Sequence, residues 1–138
     1  EGFDVSPDGT FLWTACAGDG TIHIIDIKAQ QSVAVINANV IGANRLKFTP
    51  DGKRVLVTSL RTGDLTVIDA ASRKEIKRIP IGRGGAGLEV DEAGNRAFVG
   101  CTPDNYVAVI DLKTLEVSAR IDVGGGPDGL AWAVGGKW

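Results

Sequence analysis

Short apolar runs alternate with polar turns along the whole chain. In its middle, Leu46-Lys47-Phe48, Val55-Leu56-Val57, Leu65-Thr66-Val67-Ile68 and Glu75-Ile76-Lys77-Arg78-Ile79 are apolar or alternating and rich in Val and Ile. Runs of this length and composition favour strands over helices. Pro50-Asp51-Gly52 separates the first two, and Thr62-Gly63-Asp64 the next two. Asp69-Ala70-Ala71-Ser72-Arg73-Lys74 turns the third run into the fourth. These are turn-forming residues, with glycine supplying a positive φ at little steric cost. The pattern predicts four short antiparallel strands in sequence.

A close copy of this unit precedes it and another follows. The first copy carries runs at 2–5, 11–15, 21–26 and 32–36, and the third at 87–90, 96–100, 106–111 and 116–121. A fourth copy begins at Pro127-Asp128-Gly129-Leu130 and reaches Trp138. The turn glycines Gly9, Gly52, Gly94 and Gly136 recur at intervals of 43, 42 and 42 residues. The pairs Ile25-Asp26, Ile68-Asp69 and Ile110-Asp111 repeat at 43 and 42. Two independent markers with one period in the low forties point to a β-propeller with one four-stranded blade per repeat. The expected fold is all-β: a single propeller segment over 1–138, with blades at about 1–41, 42–84 and 85–126 and the inner strand of a fourth at 127–138. A blade cannot cover its own apolar faces and needs a neighbour on each side. The expected partners are therefore the remaining blades of a longer chain, or a second copy closing a ring of about six to seven blades. The chain stops inside an expected strand, where native boundaries seldom fall, which favours the segment.

Composition narrows the class. The net charge is −2, from 15 basic and 17 acidic residues interspersed along the chain. That excludes the concentrated basic field a nucleic-acid partner needs. No apolar run approaches the roughly 20 residues of a membrane span, and there is no leader-like N-terminus. Methionine is absent, so the native start is expected elsewhere or the chain processed. Cys16 and Cys101 occupy equivalent sites of the first and third copies, with Ser59 between them in the second. Two blades apart, they exceed the roughly 7 Å Cα separation a disulfide tolerates, and two free thiols are expected.

Candidate chemistry is sparse. His23 is the only histidine, at a site where the other copies have Thr66 and Ala108, and it reads as packing or surface. Asp26, Asp69 and Asp111 recur in every copy, as turn-capping aspartates would. The glycine clusters at 82–87 and 123–129 lack the ending of a phosphate loop and precede no helix; they read as crossings between blades. No catalytic group, metal site or cofactor is expected from these residues. Loops held on a rigid scaffold carry binding residues, and four residues near the crossings are candidates: Asn44, Arg45, Arg83 and Asp128. Asp4, Lys47 and Glu89 align in the inner strands and are expected to line the channel, with Lys47 between the two carboxylates.

The repeat resembles the YVTN family of β-propeller repeats. The resemblance rests on Ser6-Pro7-Asp8-Gly9 and Thr49-Pro50-Asp51-Gly52, and on Leu12-Trp13-Thr14-Ala15, Leu56-Val57-Thr58-Ser59 and Phe98-Val99-Gly100-Cys101 at the name motif. The Ile-Asp pairs and the endings Ile81-Gly82 and Val123-Gly124 complete it. No Trp-Asp pair closes a blade, unlike WD repeats. The resemblance implies a bacterial periplasmic or extracellular protein. With no catalytic constellation among these residues, the expected function is a non-enzymatic scaffold presenting inter-blade loops to a small molecule or protein. Its alternative is a fragment of a propeller enzyme, lactonase-like or of a haem or quinohaemoprotein oxidoreductase, with active residues outside this segment.

Overall fold

The computed structural model describes residues 2–133. Twelve strands form three antiparallel sheets of four, each a simple meander. The first holds β1 (Phe3–Val5), β2 (Phe11–Ala15), β3 (Ile22–Asp26) and β4 (Gln31–Ile36). The second holds β5 (Ala43–Phe48), β6 (Arg54–Ser59), β7 (Asp64–Asp69) and β8 (Lys74–Pro80). The third holds β9 (Gly85–Val90), β10 (Arg96–Cys101), β11 (Tyr106–Asp111) and β12 (Glu116–Asp122). One 3₁₀ turn, Thr102–Asp104, is the only helical piece among the described residues. No helix among them is long and apolar enough to cross a membrane.

The sheets stack face to face as propeller blades. Alternation along each strand sends neighbouring side chains to opposite faces, and two apolar cores result. Trp13, Ile22 and Ile24 of the first sheet pack against Leu46, Phe48, Val55, Val57 and Ile68 of the second. Leu56, Leu65, Val67, Ile79 and Ile81 pack against Leu88, Val90, Ala97, Val99 and Ile110 of the third. The middle blade is covered on both faces, so β6 is buried from Val55 to Ser59 without the alternation of a half-exposed strand. The first blade's outward face is bare. Phe3 and Val5 are 64% and 41% exposed, while their repeat equivalents Leu46 and Phe48 are 2% and 7% exposed. A flank of this kind calls for further blades, because contiguous exposed apolar surface marks an interaction face.

The turns follow the chemistry expected of them. Asp26, Asp69 and Asp111 accept backbone N–H bonds from Ala29, Ser72 and Lys113 at 2.8, 2.7 and 2.7 Å. Each turn then ends on a left-handed residue, Gln30, Arg73 or Leu115. In the Ser6 and Thr49 turns the hydroxyl donates to Asp8 or Asp51 and accepts the N–H of Phe11 or Arg54.

The fourth copy differs from expectation. Among the described residues, 127–133 form no strand. The segment nonetheless lies against the third blade: Thr102 donates to the Pro127 carbonyl at 2.7 Å, and Trp132 stacks on Phe98 at 5.9 Å. A strand is a paired object, and among the described residues no strand pairs with this segment. The expected turn at Gly136 and the Lys137-Trp138 alignment lie outside the described residues, as does Glu1.

Candidate functional site

The inner strands stand side by side, β5 next to both β1 and β9, and bring the three expected wall residues into one row. Lys47 Nζ lies 3.5 Å from Glu89 Oε2. Asp4 is engaged differently: its Oδ2 accepts the Phe48 N–H at 2.9 Å and its Oδ1 the N–H of Val5 at 3.0 Å. Glu89 likewise accepts the N–H of the residue after it, Val90. Both carboxylates therefore bind backbone first. Asp4 joins the first two blades through a main-chain bond, while Lys47 joins the second to the third through charge.

At the end of the blades where the crossings run, a cavity of about 440 Å³ opens between the second and third blades. Its lining includes Asn44, Arg45, Ala86, Thr102 and Asp128. Asn44 is buried and donates through Nδ2 to the Ala86 carbonyl at 3.1 Å, tying β5 to β9. Arg45 reaches back to Asn44, its Nη1 lying 3.4 Å from the Asn44 carbonyl and 3.3 Å from Oδ1. Both bonds are long, and among the described residues no carboxylate pairs with this guanidinium. The cavity thus offers a cation and an amide, with the Asp128 carboxylate at its rim. It can hold a polar or anionic group.

Arg83 stands apart from that cavity. Its backbone N–H donates to Asp104 Oδ2 at 2.7 Å and its Nε to Oδ1 at 2.6 Å. These bonds, the backbone one foremost, hold the Asp104 carboxyl below its usual range. Asp104 opens a clasp that the sequence reading missed. Tyr106 donates to the Ile81 carbonyl at 2.8 Å, and Asn105 Oδ1 accepts the Gly126 N–H at 3.1 Å. The turn after β10 therefore grips the crossing on each side of it. Gly82 has φ 137°, and a Cβ there would collide with the Tyr106 hydroxyl. One signal was present in the sequence: Asn105 stands where Gly20 and Gly63 stand, and it takes the same left-handed conformation. The glycine cluster is only partly a crossing, because Gly85 and Gly87 already belong to β9.

His23 Nδ1 lies 3.4 Å from Ser32 Oγ, on the third strand of its blade and away from the inner row. Cys16 and Cys101 are free thiols. Cys101 is buried, which pushes its thiol pKa up. Its Sγ points at the Ile81 carbonyl, as Ser59 Oγ does more closely at Ile41, so the shared position anchors a crossing. Among the described residues no group of His, Cys, Asp and Glu could hold a metal ion.

Residues 6–135 match the family described as the cytochrome D1 heme domain. No curated protein matches the sequence. Among solved structures, the hydrazine synthase of Kuenenia stuttgartiensis is 24% identical, with a TM-score of 0.86 over 92% of this chain and 37% of that one. A functionally unknown protein from Desulfotomaculum acetoxidans is 13% identical, with a TM-score of 0.81 over 92% of this chain and 43% of its own. At these identities the likeness shows the fold alone. The chain spans well under half the length of either. The matches support a β-propeller, and not YVTN repeats in particular.

Proposed function

Because the chain belongs to the cytochrome D1 heme domain family, we propose that it supplies part of the wall of a haem-associated β-propeller, the rest of the ring coming from further blades. Family membership over nearly the whole described chain is the observation that supports this reading over a non-enzymatic scaffold. The bare flank carrying Phe3 and Val5 agrees with a ring continuing on that side.

The residues present fit one half of a haem site. A haem brings a redox-active iron and carboxylate substituents. For the carboxylates, Arg45 and Asn44 at the cavity mouth have the right chemistry: a guanidinium with no acidic partner among the described residues, beside a buried amide. For the iron there is no fit. The single imidazole, His23, lies on a third strand, and the Lys47 amine is paired with Glu89. A ligand to the iron would come from other blades. In this segment the inner row would shape the channel, while Arg45 would orient an anionic edge at its mouth. A periplasmic setting accompanies this reading, supported by the family.

The test is haem retention by the full-length chain. The expected result is a Soret band that survives gel filtration. An Arg45→Ala variant should weaken retention by about tenfold, as expected for loss of one charge-assisted bond worth roughly 1.5 kcal/mol. A folded full-length chain that takes up no haem would overturn the proposal and return the scaffold reading.

A further inference from the structure

The tripeptide Pro-Asp-Gly occurs at 7–9, 50–52 and 127–129, and Asp19-Gly20 is a further Asp-Gly bond. At such a bond the glycine nitrogen, with no side chain beside it, can attack the aspartyl side-chain carboxyl. A C–N bond forms, water leaves, and the product is a succinimide. Water then opens that ring at one carbonyl or the other, giving back aspartate or leaving isoaspartate. The attack needs a glycine N–H free to give up its proton and a carboxyl group free to take one up. Three of the bonds lack both. The N–H groups of Gly9, Gly20 and Gly52 donate to the carbonyls of Ser6, Cys16 and Thr49 at 2.8, 2.9 and 2.8 Å. Their aspartates are held as well. Asp8 Oδ1 accepts from the Ser6 hydroxyl and the Thr10 N–H, Asp19 Oδ1 from the N–H and hydroxyl of Thr21, and Asp51 Oδ1 from the Thr49 hydroxyl and the Lys53 N–H. These bonds keep all three carboxyls ionised, below their usual range. Asp128-Gly129 has none of this. Among the described residues no hydrogen bond or ion pair engages the Asp128 carboxylate or the Gly129 N–H. Both residues are exposed, and the space a Cβ on Gly129 would fill is open. The neighbouring chain is held, by Thr102 at the Pro127 carbonyl and by the Trp132 stack on Phe98, but the reacting atoms are not.

We propose that Asp128-Gly129 is a site of isoaspartate formation in the folded protein, while the turns keep the other Asp-Gly bonds intact. The tripeptide is the same at 7–9, 50–52 and 127–129, so the fold decides the difference. The change bears on the cavity between the second and third blades, which Asp128 lines. Isoaspartate routes the main chain through the former side chain and leaves its carboxylate directly on Cα. The charge at the rim survives, but its reach is shortened. This holds whatever the cavity binds.

The test follows the full-length chain through incubation at neutral pH, with isoaspartate located by peptide mapping and electron-transfer fragmentation. It should accumulate at Asp128 faster than at Asp8, Asp19 or Asp51. In the urea-unfolded chain the rates at these sites should converge, because the protecting hydrogen bonds are gone. Gly129→Ala should suppress the reaction at Asp128 in the folded protein, since a Cβ hinders the attacking nitrogen. Nothing lies within 4 Å of that Cβ, so far-UV circular dichroism should be unchanged. Similar rates at all these sites in the folded chain, a lead at Asp128 that persists undiminished in urea, or accumulation unaffected by Gly129→Ala overturns the proposal.

Discussion

Asp91 stands where Ser6 and Thr49 stand in the first two copies, and it does their work alone. Its Oδ1 accepts the N–H groups of Asn95 and Arg96 at 2.7 and 3.2 Å, and its Oδ2 meets Arg96 Nε at 3.0 Å. A hydroxyl–carboxylate pair in one turn has become a carboxylate–guanidinium pair in another, and both satisfy the same backbone donors. Burial opposes ionisation of Asp91, but the bonds from Arg96 and Asn95 outweigh it, and its pKa falls below the usual carboxylate value. A lowered folded-state pKa contributes stability above the unfolded value, and that stability is lost as pH falls through the folded one. Asp91→Asn should therefore lower stability at neutral pH by roughly 2 kcal/mol, read as a lower urea midpoint, because the charge-assisted bonds to Arg96 and Asn95 lose their anionic acceptor. It should also flatten the loss of stability below about pH 4. Parallel curves for variant and wild type across that range would show that the charge is immaterial.

Among the elements, β9 is the one whose composition looks least like a strand. Gly85-Ala86-Gly87 has little side chain to pack, yet all three residues are buried. The reason lies in what crosses them. A Cβ on Gly87 would collide with the carbonyl oxygen of Asp128, and its φ is not in the left-handed region, so alanine would strain nothing in the strand itself. Gly87→Ala should therefore push the 127–130 segment off the third blade while the sheet remains. Limited proteolysis should then cut that segment faster, with the melting temperature little changed. Equal cleavage rates would mean that the segment is held from elsewhere, through Thr102 and Trp132.

For the whole molecule, the middle blade links two cores that share no residue. Leu56 is fully buried against the third blade, and Val55 and Val57 on either side of it face the first. Leu56→Ala should cost about 2–5 kcal/mol, as cavity-forming core truncations do. Because β6 serves both cores, unfolding should remain one transition, seen as a shifted urea midpoint with an unchanged slope. Two resolved transitions would show that the blades melt one at a time, as a loosely coupled repeat array would.

What was legible from residues alone follows from how locally it is encoded. Blade number, strand order and turn aspartates depend on periodicity and on contacts within a few positions, and two markers with one period were enough to read them. Equivalence between copies also places Asn44, Arg45 and Asp128 at one end of the blades, where they line one cavity, although Asn44 and Arg45 stand on β5 and not in a loop. The pairings were another matter. That Asp4 would bind the Phe48 N–H, that Arg83 would be claimed by Asp104, and that 127–133 would lie unpaired on the third blade all depend on distances between distant parts of the chain. Those distances are set when neighbouring sheets stack and twist against one another, and no spacing along the sequence records them.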